Sequence, residues 1–208
     1  MTLSATITPA GLAVSGYLQF AVGGVNVGGH VAVSGSGTYS VNYVITQAQG
    51  TYPVTAVFTS ATAGILGSSG GNNLTVSREN ARVTPWASNP QAVQVSSPGG
   101  TASLITLVAA IQELADGSLG DISKATPVSF TLIPVVAASS IKCLPVSTSV
   151  ASGVLTATAT CSNVPVNAYD VSIVVGGDYY TGTAILSWPY MIHRWVSSRE
   201  AEPWCTTV

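Results

Sequence analysis

Apolar residues alternate with hydroxyl and amide residues, period two, in one short run after another, and that pattern restricts the chain to half-buried β-strands. Leu3, Ala5 and Ile7 make one face of the first run, with Ser4, Thr6 and Thr8 on the other. Leu18, Phe20 and Val22 repeat the pattern around Gln19. Tyr39, Val41, Tyr43 and Ile45 do so with Ser40 and Asn42, and Tyr52, Val54, Ala56 and Phe58 with Thr55 and Thr59. Between the runs, Gly23-Gly24, Gly28-Gly29, Ser34-Gly35-Ser36-Gly37 and Gln49-Gly50 supply turn chemistry. The same order starts again after Arg78-Glu79-Asn80, with runs at Arg82-Val83, residues 104–114, Val128/Phe130/Leu132, Leu155/Ala157/Ala159/Cys161 and Tyr169/Val171/Ile173/Val175. Short strands so spaced predict an all-β chain of two tandem sandwiches, residues 1–77 and 78–187, followed by an irregular tail at 188–208.

One run is ambiguous. Residues 103–114, SLITLVAAIQEL, fit a short buried helix as well as a strand. Residues 3–7 hold the corresponding place in the first unit and alternate cleanly, so a repeat that keeps its element type makes this segment a strand.

Charge limits what chemistry is available. Only 7% of residues are Asp, Glu, Lys or Arg, against roughly a quarter in an ordinary soluble domain, so solubility rests on hydroxyls and amides. None of these four types occurs before Arg78. General acid–base catalysis needs a carboxylate, imidazole or amine, and hard-metal sites need several carboxylates. The first unit offers only His30, read as a turn residue. No basic cluster suits nucleic acid, no apolar run reaches the roughly 18 residues of a membrane span, and the first residues carry no export signal. No G-x-S-x-G, H-E-x-x-H, P-loop or dinucleotide fingerprint is present, so no catalytic residue, metal or cofactor is assigned.

Two segments hold matching positions just after a polar turn: Gly50-Thr51-Tyr52-Pro53-Val54 and Asn167-Ala168-Tyr169-Asp170-Val171. Each resembles the tyrosine corner of immunoglobulin-like sandwiches, in which the phenol caps nearby backbone. With LSATITPAG, GYLQFAV, GTYSVNYVI and GTYPVTAVF in series, residues 1 to about 187 resemble the bacterial immunoglobulin-like repeats of secreted and cell-surface proteins. The resemblance implies that the first module lacks its initial strand and leaves a sheet edge uncovered. It implies an extracellular or cell-surface location and a role as structural or adhesive spacer, with adjacent domains of a larger chain as partners. A module binding a surface glycan or protein is the alternative. Export would let Cys143 and Cys161 form a disulfide, whereas a reducing compartment would leave two buried thiols in neighbouring strands. Cys205 is left unpaired.

A ligand loop in the second unit would draw on Asp116, Asp121, Tyr179 and Tyr180. The acidic stretch of Glu113, Asp116 and Asp121 offers oxygens, yet it lacks calcium-loop spacing, and a solvated connection accounts for the same residues. Tyr179 and Tyr180 could stack on a sugar ring or fold back over the end of the sandwich. Asn73-Leu74-Thr75 matches a glycosylation sequon, which matters only in a glycosylating host. The tail holds three of the four Trp and no alternation. One permitted codon set for residues 187–202, read two nucleotides later, encodes LAVYDPSLGFVTGGG, which would continue the last strand. The tail is therefore expected to be out of frame, and the coding DNA decides it.

Overall fold

The computed structural model describes residues 1–8, 13–97, 99–117 and 120–193, with side chains up to residue 186. It divides into two compact units, Met1–Ser77 and a second beginning at Arg78. Every element in both is a strand except one turn of 3₁₀-helix, so the described chain is all-β.

The first unit contains β1 (Thr2–Ile7), β2 (Gly16–Val22), β3 (Val25–Val33), β4 (Gly37–Asn42), β5 (Gly50–Ser60) and β6 (Ser68–Val76). One sheet runs β3-β2-β5-β6 and the other is the antiparallel pair β1-β4. Because successive side chains of a strand point to opposite faces, the alternating runs put Leu3, Leu18, Phe20, Val22 and Phe58 into a shared core. Their hydroxylated neighbours face outward, where Thr6 and Thr38 meet across the ladder at 2.9 Å. The segment around Gly28-Gly29 is a strand rather than the expected turn. Gly28 takes a left-handed φ of 62°, and the β2–β3 register shifts between Leu18 and Phe20, so the glycine serves a bulge within a long strand. His30 lies in this strand, stacked on Tyr17 with ring centroids 4.1 Å apart.

The second unit contains β7 (Glu79–Pro85), β8 (Ala92–Gln94), β9 (Thr101–Glu113), the 3₁₀ turn Ile122–Lys124, β10 (Val128–Pro134), β11 (Ile141–Lys142), β12 (Val146–Ala151), β13 (Val154–Pro165), β14 (Ala168–Val175) and β15 (Tyr180–His193). Its layers run β12-β13-β9-β7 and β11-β10-β14-β15, with β8 parallel to the end of β15. A two-residue parallel link between β15 and β7 joins them. This is the strand order of an immunoglobulin-like sandwich, and the first unit has the same order without counterparts of β7, β8 and β12 among the described residues.

Residues 103–114 fall almost wholly in β9, which is zipped on both edges, to β13 and to β7. Leu107, Ala109 and Ile111 are fully buried, and the pairing decides what propensity could not. The last strand continues to His193, six residues beyond the expected boundary at Ser187. Backbone pairing of Tyr190 with Tyr169 and of Met191 with Ala168 and Ala92 extends it, and a ladder needs no side-chain alternation. Residues 194–208, most of the expected tail, lie outside the described residues.

Candidate functional site

The residues singled out in the second unit fall into two groups. The first is structural. Cys143, just after β11, and Cys161, on β13, are joined by a disulfide, and both sulfurs lie in the core. Tyr169 is 2% exposed and donates its hydroxyl to Pro165 O at 3.0 Å, four residues upstream. Tyr52 does the same to Ala48 O at 2.9 Å. Tyr39, which the sequence pattern treated only as a strand residue, makes a third such bond, to Gly35 O at 3.1 Å. Each phenol ties a turn's carbonyl to the start of the following strand, and burial pushes the Tyr169 hydroxyl above its ordinary pKa.

The second group sits at one end of the second unit. The β7–β9 register, with Ala81 opposite Glu113, brings the Glu79 and Glu113 side chains together although the residues are 34 apart in sequence. The parallel step of Tyr180 against Glu79 adds the phenol. Gly120 closes the cluster. A side chain there would overlap Tyr180 Oη and Glu79 Oε2 and stand 2.9 Å from Glu113 Oε1, and the Gly120 N–H donates to Glu113 Oε1 at 2.7 Å. Tyr180 Oη and Glu79 Oε2 are buried beside each other without a well-aligned hydrogen bond among the described residues. Burial raises the Glu79 pKa, the adjoining Glu113 carboxyl raises it further, and the Tyr180 hydroxyl pulls the other way. Burial, and then the negative charges of Glu79 and Glu113, push the Tyr180 phenol far up. Burial and the Glu113 carboxyl thus both favour the protonated form of Glu79.

The expected ligand loop is therefore redistributed. Tyr180, 2% exposed, is a core residue and not an exposed aromatic, because the Glu79 pairing turns its ring inward. Tyr179 is half-buried, with Lys124 Nζ 4.5 Å from its ring centroid. Asp121 caps the 3₁₀ turn, accepting from Ser123 N at 3.1 Å and Ser123 Oγ at 2.5 Å, which lowers its pKa. Asp116 is exposed in the same loop. Among the described residues no three acidic, His or Cys side chains come together as a metal-binding set.

Sequence reasoning missed two features here. Glu79 gave no signal, since neither period nor motif links it to Glu113. Asn89, 5% exposed, lies in a loop yet bonds both backbone groups of Val108, its Oδ1 accepting from N and its Nδ2 donating to O, each at 2.8 Å. It extends the β7 edge of β9 by one mock residue. The turn-like Ala-Ser-Asn-Pro stretch was the only hint.

No protein-family model matches this sequence, and no curated protein matches it. Among solved structures the chain is similar to the ICAM-5 D1–D4 ectodomain fragment, at 13% identity and a TM-score of 0.39, over 93% of this chain and 49% of that one. It is also similar to a chain of the Dpr2 Ig1–Ig2 complex with DIP-Theta Ig1–Ig3, at 12% identity and a TM-score of 0.31, over 93% of this chain and 91% of that one. The chain spans about half the length of the ICAM-5 fragment. The fold assignment rests on strand order and pairing, not on these likenesses.

Proposed function

We propose that this chain is a non-catalytic spacer or adhesive segment of a larger bacterial secreted or cell-surface protein, with its two sandwiches acting as structural modules beside other domains. The observation that carries the reading is that the first unit is almost without side chains able to do chemistry, and several of those in the second are engaged in holding the fold. The first unit has no Asp, Glu, Lys or Arg at all. In the second, Asp121 caps a turn, Glu113 holds Gly120, Lys124 covers Tyr179, and Tyr169 ties down its own turn. The disulfide suits an oxidising, extracellular setting. Among the described residues no helix is long and apolar enough to cross a membrane.

The rival reading, a glycan- or protein-binding loop at residues 116–121 and 178–182, has less support because its aromatic pair is turned inward or covered. Force-extension measurements on the whole chain, with titration calorimetry against surface glycans, separate the two. The spacer reading expects two discrete unfolding events and no saturable glycan binding. Saturable binding that disappears with Tyr179→Ala would overturn it in favour of the ligand loop.

A further inference from the structure

Glu79 stands where the two layers of the second unit are stitched together. Among the described residues the only ladder between those layers is the two-residue parallel step of Tyr180 against Glu79 and Thr181 against Asn80, and there Glu79 N donates to Tyr179 O at 2.8 Å. The Glu79 side chain enters a spot crowded with oxygens. Tyr180 Oη, Glu79 Oε2 and Glu113 Oε1 all stand within 2.9 Å of the point that a side chain at Gly120 would occupy. Gly120 therefore lies directly over them, and Tyr180 Oη and Glu79 Oε2 are buried beneath it. The donors described there are the Gly120 N–H, which Glu113 Oε1 accepts at 2.7 Å, and the Tyr180 hydroxyl. Neither separates the two carboxyls, so with both ionised, like charges face each other where water is excluded. The loop that carries Gly120 adds to the repulsion, with Asp116 acting on Glu79 and Asp121 on Tyr180. Lys124 sits over the Tyr179 ring beside Asp121, and Arg78, which precedes Glu79, is exposed. A protonated Glu79 removes the conflict, because its O–H can donate to the Glu113 carboxylate while Gly120 and Tyr180 keep their places.

We propose that Glu79 is a proton-operated latch: protonated, it holds Gly120 down over Glu113 and Tyr180, and ionised, it releases Gly120 and admits water to Tyr180 Oη. This end of the second unit is closed in acid and opens as pH rises. The sign follows from linkage, since the closed form binds a proton that an open form with an ordinary, solvated carboxyl gives up. The opening is local. Ile122 and Ala125, just past Gly120, are buried in the core and hold the 3₁₀ turn in place. The latch goes beyond the spacer reading and does not depend on it.

The test is amide hydrogen exchange at the Gly120 N–H, followed by NMR on the whole chain from mildly acidic to neutral pH. Glu79→Gln is the comparison, because its neutral amide can donate to Glu113 at every pH and the residues beside Gly120 are unchanged. The ratio of the Gly120 exchange rate in the native chain to that in the variant should be level in acid and rise with pH. The full rise is about tenfold for each unit between the closed and open pKa of Glu79. Glu113→Gln removes the opposing charge from the other side and should also keep Gly120 protected at neutral pH. In all three chains the Leu107 and Ile173 amides should stay slower than Gly120, which shows that each chain is folded and that the opening is local. A ratio that stays level across the range overturns the proposal, as does Gly120 exchange as slow as that of Leu107 at every pH. Recovery of Gly120 protection at neutral pH on adding calcium chloride also overturns it, because a cation and not a proton would then hold the two carboxyls.

Discussion

The two units share a strand order and differ in closure. In the second, β7 and β8 bridge the gap between the layers, and residues such as Leu107, Ala157 and Ile173 are shut off from water on every side. In the first, β1 and β6 end in open edges with a cavity between them, and residues of the same inward alternation, such as Val54 and Ala56, are only half-buried. The second unit adds a disulfide and the Asn89 clasp; the first has neither cysteine nor ionisable side chain beyond His30 and its tyrosines. Binary patterning thus suffices to make two facing sheets, but the first and last strands of the sandwich decide how much of the pattern is kept from water.

The contrast should be sharpest in core truncation. Leu107→Ala, fully buried in β9, should cost about 2–5 kcal/mol of second-unit stability by denaturant unfolding. Leu3→Ala, at an inward position of β1 beside the cavity, should cost nearer about 2 kcal/mol, because its removal adds little new void. Equal costs would mean that the cavity is closed in solution.

Next comes the disulfide. Replacing Cys143 and Cys161 with alanine releases a loop of 18 residues' separation and should cost about 3 kcal/mol. Differential scanning calorimetry should show the second unit's transition falling while the first unit's stays in place. A shift of both would show that the units do not unfold separately.

The tyrosine pair refines the comparison further. Tyr169→Phe removes the hydroxyl of a buried ring together with its bond to the Pro165 carbonyl and should cost about 1 kcal/mol. Tyr52→Phe, at a half-buried ring, should cost less than about 0.5 kcal/mol, because water replaces the lost hydroxyl at Ala48.

The smallest effect is a pH dependence confined to the second unit. Glu79 has a folded pKa above its unfolded value, so between the two the folded state binds more protons. Stability from this group is present below the unfolded pKa and falls as pH rises through the folded one. Glu79→Gln should flatten that slope in a series of melts from mildly acidic to neutral pH and leave the first unit's profile unchanged.

Much of this architecture was legible because alternation is a local signal: Leu18, Phe20 and Val22, or Tyr169, Val171 and Ile173, point the same way in sequence and structure. Paired tyrosines likewise announced their turns. What stayed hidden depends on distant partners. Gly28-Gly29 looks like a turn until the bulge against β2 is seen, and Tyr180 looks exposed until Glu79 pairs beside it. The Glu79–Glu113 contact is set by the register of β7 on β9, which no run of residues encodes by itself. The open edge of the first unit was legible as an expected missing strand, but the cavity behind it was not, since its walls come from both ends of that unit.

Amide exchange compared at matched positions of the two units, in dilute protein with nothing added, tests closure most directly. The expected result is rapid exchange at Ser4 and Thr6, whose N–H groups face away from β4, protection at Leu3 and Ala5, which face it, and strong protection at Ala110 and Gln112, which face β7. Protection of Ser4 and Thr6 as great as that of Ala110 and Gln112 would contradict it.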